Sequence, residues 1–242
     1  MNKPTCGILD SARAALASEP LVAPHVGHLS LSFADGTLTL EGEVKSVAAK
    51  KLALECAAAL PEVTGIVDRL HVEPAQHMGD GQIRDLLRDA LVQEPAFSEF
   101  AIGELIKGQL ALVREPATVR RGSIEIDVSD GIVTLNGEVP GLAYKRLAGV
   151  LSWWVPGSRD VINGLDEVPS ESDSDDEISD AVRLALEKDP FVNAGQIHVS
   201  TRARVVTLIG LVPSESEREM AEADAWYVLG VDNVINKVAV RA

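Results

Sequence analysis

The chain repeats itself. Three segments, 29–72, 124–167 and 197–240, align with one another without a gap, at offsets of 95 and 73 residues. The centre of the first reads Thr37-Leu38-Thr39-Leu40-Glu41-Gly42-Glu43-Val44. It returns as Ile132-Val133-Thr134-Leu135-Asn136-Gly137-Glu138-Val139 and again as Val205-Val206-Thr207-Leu208-Ile209-Gly210-Leu211-Val212. Self-similarity of this kind restricts the fold more than composition does, because each copy must be one supersecondary unit built the same way.

Each copy opens with a helix pattern. Ile8, Ile83 and Ile178 stand twelve residues before Pro20, Pro95 and Pro190, and Leu16, Leu91 and Leu186 stand four before them. With Ala12, Leu87 and Val182 between, the apolar spacing is i, i+4, i+8, one helix face. Thr5, Asp80 and Asp175, three residues ahead of each Ile, carry side-chain oxygens suited to N-caps. The proline then ends the helix by removing a donor and pushing the preceding residue towards extended backbone.

Period-two alternation follows: Leu29, Leu31, Phe33; Ile124, Ile126, Val128; Ile197, Val199, Thr201. Asp35-Gly36 and Asp130-Gly131 come next, a tight-hairpin signal because both central residues tolerate positive φ. The third copy has Ala203-Arg204 there, which puts its hairpin geometry in question. The second strand points Leu38 and Leu40, and their counterparts, inward. Gly42, Gly137 and Gly210 fall on that inward face, where a missing side chain makes room for the backbone of a helix or marks a bulge; we favour the helix. A second helix starts at Ser46, Gly141 or Ser214, the last within the capping-box pattern Ser214-Glu215-Ser216-Glu217. A third strand, reached by a crossover, must lie parallel to the second. The fold class is therefore α+β: three tandem αββαβ units, each a small three-stranded mixed sheet with two helices on one face. Their bounds are 1–75, 76–169 with an insertion at 96–122, and 170–242.

A capped helix, then V-x-(D-G)-x-V-T-L-x-G-x-V, then a helix and a strand ending V-x-x-V-x-N-x-L/V, resembles the BON domain, three times over. Asn163 and Asn236 match the family's last-strand Asn, while the first copy has Asp68. The resemblance implies a non-catalytic module that binds phospholipid or an envelope protein, in the context of stress response. One cytoplasmic type binds potassium, so the alternative it implies is a cation (K⁺ or Ca²⁺) or small-ligand sensor whose domains close on binding.

Composition excludes other classes. A formal charge of −15 opposes nucleic-acid binding, which relies on Lys and Arg, and opposes purely electrostatic docking on anionic lipid. Two cysteines, Cys6 and Cys56, make no disulfide framework. The start, Met1-Asn2-Lys3-Pro4, leads into a mixed polar segment with no apolar stretch of signal-peptide type. That points to the cytoplasm, or to the periplasm for a trimmed chain. No G-x-S-x-G, H-E-x-x-H or Walker loop occurs, so no enzyme activity, cofactor or metal centre is expected. His25 and His28 are the one close histidine pair and lack further ligands at metal spacing. The run 170–177 reads as an acidic linker that caps the third copy's first helix, not as an EF-hand.

Three features suggest interfaces, within the chain or across a homodimer. The insertion carries Phe97 and Phe100, with Ile102, Leu105 and Ile106 at helical spacing, and reads as an extra amphipathic helix over exposed core, or for lipid or a partner. Trp153-Trp154 aligns with Trp226-Tyr227, and adjacent helical residues point about 100° apart, so one of each pair faces a neighbouring copy. On the third copy's second strand Ile209 and Leu211 replace outward polar residues. That predicts a covered face, with the insertion or a second copy as cover.

Overall fold

The structure is a computed structural model that describes residues 3–116, 121–169 and 173–241. Its contacts divide the chain into two compact units, Met1–Glu73 and Pro74–Ala242.

The first unit is one copy: α1 (Lys3–Ser18), β1 (Ser30–Ala34), β2 (Thr37–Val44), α2 (Val47–Ala58) and β3 (Gly65–Val72). β1 and β2 form an antiparallel hairpin, and β3 lies parallel to β2, as a crossover through α2 requires. Leu38, Leu40, Val44 and Leu70 point inward and are buried with Ala12 and Leu16 of α1 and Ala49, Ala53 and Ala57 of α2. The alanines let α2 lie close to the sheet. Ser46 caps α2 by accepting from the Ala49 amide at 3.2 Å.

The second unit holds the other two copies. The second contains α3 (Asp80–Gln93), β4 (Phe100–Ile106), β5 (Gln109–Arg114), β6 (Gly122–Ser129), β7 (Ile132–Asn136), β8 (Glu138–Val139), α4 (Leu142–Trp153), β9 (Asp160–Asn163) and β10 (Asp166–Glu167). The third contains α5 (Asp175–Lys188), β11 (Ile197–Arg202), β12 (Val205–Val212), α6 (Glu215–Tyr227) and β13 (Asn233–Val240). Both repeat the hairpin and the parallel third strand. α3 and α5 end where the sequence predicts: Glu94 and Asp189, each before a proline, turn to extended backbone.

The insertion is not a helix. It forms the hairpin β4–β5, and β4 pairs parallel to β6, making a five-stranded sheet in the order β5-β4-β6-β7-β9. Phe97, Phe100 and Ile102 are fully buried in the second copy's core, with the two rings edge to face at 5.2 Å, so they cover no other copy. Leu105 is half-buried and Ile106 exposed. The physical reason is the Lys107-Gly108 turn, with φ 51° and 77°, which folds the segment on itself after too few residues for a helix. Arg114 holds the hairpin down by donating to the carbonyls of Val92 (2.9 Å), Phe100 (3.2 Å) and Phe97.

The repeated glycines do not face a helix. A Cβ on Gly137 or Gly210 would lie 2.2 Å from the carbonyl oxygen of Ser123 or Gln196, at the start of the neighbouring strand. On Gly42 it would lie 2.9 Å from the Leu29 side chain. The glycine lets two strands come together, a close backbone approach within the sheet.

Candidate functional site

The aspartates expected to cap helices do something else. Gly79 and Ser174 are the N-caps, and Asp80 and Asp175 are the first helical residues. Asp80 accepts from the amides of Asp130 (3.1 Å) and Gly131 (2.9 Å), and Asp175 from those of Ala203 (2.7 Å) and Arg204 (2.9 Å). Each carboxylate thus straps the hairpin turn of its own copy to the helix start. The side chain of Thr5 lies outside the described residues. The Ala203-Arg204 turn has the same shape as Asp35-Gly36 and Asp130-Gly131, with φ 50° and 63°, so the departure in sequence changes no geometry. Left-handed backbone costs a non-glycine residue roughly 1–2 kcal/mol, and the Asp175 strap offsets it. Ala203→Asn, which tolerates that conformation better, is expected to melt above the parent and Asp175→Asn below it. The opposite order in thermal unfolding would show that the turn is not the constraint.

Capping also differs in detail. Ser174 and Glu177 form the reciprocal box at α5. At α6 Ser214 accepts from the Glu217 amide, but the Glu217 carboxylate turns away to accept from the Asn193 amide at 2.8 Å.

The second and third copies meet through α4, α5 and α6. Trp153 stacks on Tyr227, with ring centroids 6.0 Å apart and planes within 12°. Trp154 donates its Nε1 to Asp224 Oδ1 at 2.7 Å. Trp226 points the other way and is buried. Arg146, 2% exposed, donates from Nε to the Leu229 carbonyl at 2.8 Å and from Nη2 to Asp173. Lys188 pairs with Glu94 at 2.8 Å. Asp224 is the unusual member: it is 2% exposed, and besides the Trp154 bond its carboxyl shares a hydrogen bond with the Asp189 side chain. Burial pushes its carboxyl up to about 8; the Trp154 hydrogen bond lowers it, and the nearby Asp189 charge raises it further. None of these contacts has a local sequence signature beyond the paired aromatics. A cavity of about 210 Å³ between α4 and α5, lined by Leu147, Val150, Leu184 and Arg146, is below the roughly 300–1,000 Å³ of sites that enclose a small ligand. It reads as a gap in packing.

The outer sheet face of the third copy is the other candidate. Ile209, Leu211 and Ile235 are 47%, 43% and 42% exposed, so the insertion does not cover them. Across the ladder Ile209 lies between His198 and Lys237, and Ile235 lies opposite Thr207. With Ser200, Arg202, Val205, Asn233 and Ala239 completing the outward positions, this face carries no carboxylate. The same face of the first copy has Glu41 and Glu43, and that of the second has Glu125, Asp127, Glu138 and Asp160.

His25 and His28 lie beside Gly42, Glu43 and Lys45 in a surface cleft of the first unit. Among the described residues no group of three or more His, Cys, Asp or Glu is placed to hold a metal ion, and no helix is long and apolar enough to cross a membrane.

A family model described as BON domain matches three regions, residues 8–74, 98–169 and 174–242. No curated protein matches the chain. Among solved structures, the C-terminal domain of CdsD, a structural protein of the type III secretion system of Chlamydia trachomatis, aligns at 15% identity and a TM-score of 0.27, covering 97% of this chain and 98% of that one. A second structure of CdsD gives 15%, 0.25, 97% and 92%. Scores of that size carry no argument about arrangement or role.

Proposed function

Since the chain belongs to the BON domain family, in three tandem copies, we propose that it is a non-catalytic binding and scaffold protein that docks on a phospholipid surface through the outer sheet face of its third copy. The observation that supports this reading is the composition of that face: three exposed aliphatic side chains beside Arg202 and Lys237, without a carboxylate, in a protein of net charge −15. Aliphatic contact and local positive charge together are what an anionic bilayer surface attracts. The acidic remainder does not cancel this, because charges beyond about 10 Å are largely screened at 0.1 M salt.

The test is flotation with phosphatidylcholine vesicles, with and without phosphatidylglycerol. The parent is expected to float with the anionic vesicles and to be released by salt. At about 1 kcal/mol per cation near the surface, Arg202→Glu with Lys237→Glu should weaken binding by at least about thirtyfold. Ile209→Ser with Leu211→Ser should weaken it on both vesicle types. A parent that stays at the bottom of the gradient, or a charge variant that floats like the parent, refutes the reading.

A further inference from the structure

Two acids meet in the joint between the second and third copies. The Asp224 carboxyl, on α6, accepts from Trp154 Nε1 at 2.7 Å. Asp189, just past the end of α5, accepts from the Phe191 amide at 2.8 Å. The two side chains are also hydrogen-bonded to each other. Two carboxyl groups form such a bond only with a proton between them, because carboxylates are acceptors alone. Asp189 is the charged group that acts on Asp224. The cations on the helices packed against α6 are engaged elsewhere: Lys145 with Glu167 at 3.2 Å, Arg146 with Asp173, Arg183 with Asp180, and Lys188 with Glu94 at 2.8 Å. β12 carries no charge, and Lys237 of β13 lies on the outer sheet face. Burial, and then both carboxyls, push the Tyr227 phenol up, so it stays neutral.

The joint is also built to part. The buried core of the second copy runs from Ile83 to Leu165 and takes in no residue of the third. What crosses between the copies is the Trp153–Tyr227 stack, the Trp154 bond and polar contacts of Arg146 and Lys188. Between α4 and α5 the packing leaves a gap of about 210 Å³. Contacts that are polar and incompletely filled hold domains less firmly than a shared core does. Separation therefore leaves both cores intact and admits water to Asp224.

We infer that this joint is a proton-held latch. One proton shared by Asp224 and Asp189 keeps the second and third copies docked, and its loss lets them part while each stays folded. When Trp154 withdraws, water reaches Asp224. The carboxyl that burial had pushed up to about 8 then returns towards its ordinary range. The docked form therefore binds the proton and the parted form releases it. Docking is strongest at low pH and weakens as pH rises to about 8, by at most about tenfold per unit. The latch makes no use of the third copy's outer sheet face, so it stands whether or not that face meets a bilayer.

The test is small-angle scattering by the full chain at about pH 6 to 9, with far-UV circular dichroism on the same samples. Up to about a hundredfold shift is available between pH 6 and 8, enough to turn ten-to-one docked into ten-to-one parted. The radius of gyration should rise with pH while the circular dichroism holds. The indole N–H resonance of Trp154, assigned by its absence from Trp154→Phe, should move through the same transition. Asp224→Asn keeps an acceptor for Trp154 and never ionises, so its radius and its resonance should stay constant. Asp189→Asn removes the charge facing Asp224 and should leave less of the chain open at pH 8. A parent radius that does not change overturns the inference. So does an Asp224→Asn variant that expands like the parent, which assigns the change to overall charge. Circular dichroism lost together with the expansion also overturns it, since the copies then unfold rather than part. An Asp189→Asn variant as open as the parent overturns the sharing of the proton.

Discussion

Asp224→Asn is expected to gain stability relative to the parent as pH rises from about 4, with the gap widening up to about pH 8. The folded chain holds the Asp224 carboxyl at about 8, because the group is buried and faces Asp189, whereas in the unfolded chain it titrates near 3.8. Between those values the folded state binds a proton that the unfolded state has released. The stabilisation is therefore complete below about pH 4 and is lost as pH rises through about 8. One proton corresponds to a slope of at most about 1.4 kcal/mol per pH unit. A fraction of that slope still opens a gap of about 1 kcal/mol or more between pH 5 and 8. Asn keeps an oxygen for Trp154 Nε1 and never ionises, so its curve should be flat in this window.

Asp175 works in the opposite direction and elsewhere on the pH axis. The amides of Arg204 and Ala203 hold its carboxyl below the usual range, so its contribution is present at neutral pH and lost only on acidification below about 4. The two effects do not overlap. Trp154→Phe provides a second check at the joint: it keeps an aromatic ring there but removes the donor to Asp224, leaving a buried carboxyl without its bond at a cost of about 1–3 kcal/mol. Melting curves of parent and Asp224→Asn that stay parallel from pH 5 to 9 would show that the joint does not sense this proton.

The unit itself was legible because its signals are local. Alternation placed Leu38 and Leu40, Val133 and Leu135, and Val206 and Leu208 in the core, where each is fully buried. The matched Asn also has a physical role. Asn163 and Asn236 donate to the carbonyls of Lys145 and Arg218 on the second helix, at 2.7 and 3.1 Å. Asp68 cannot donate, and in the first copy Lys50, at the equivalent helix position, reaches Asp68 at 3.0 Å and the Leu70 carbonyl at 2.7 Å instead. What the sequence concealed lies in partners far along the chain. A carboxylate before an apolar face suits a cap and a strap equally, and Asp80 is told apart only by a turn 50 residues on. Phe100 and Ile102 fit period two, while Ile102, Leu105 and Ile106 fit a helix; pairing with β6 decides between them. Asp224 looks like any helix acid until Trp154, 70 residues away, is set beside it.

The glycine series should separate two explanations that a single substitution confuses. Had the glycines made room for a helix, the cost would scale with added volume, small for Ala and large for Val. The structure puts the obstacle at the first carbon instead. At Gly137 a Cβ meets the Ser123 carbonyl at 2.2 Å, and φ is 125°, a backbone conformation that side chains rarely adopt. Gly137→Ala should therefore cost nearly as much as Gly137→Val. Overpacking of about 1–3 kcal/mol and backbone strain of similar size together give about 3 kcal/mol or more. That corresponds to a fall of roughly 6–12 °C in melting temperature for a unit of this size. Gly210 meets the Gln196 carbonyl at the same 2.2 Å but without positive φ, so it should follow. Gly42 shares the positive φ, at 143°, but should cost less than Gly137, because its nearest obstacle at 2.9 Å is the end of the Leu29 side chain, which can move where a carbonyl cannot. Alanine variants that melt with the parent, with only the valines unstable, would return the glycines to the helix.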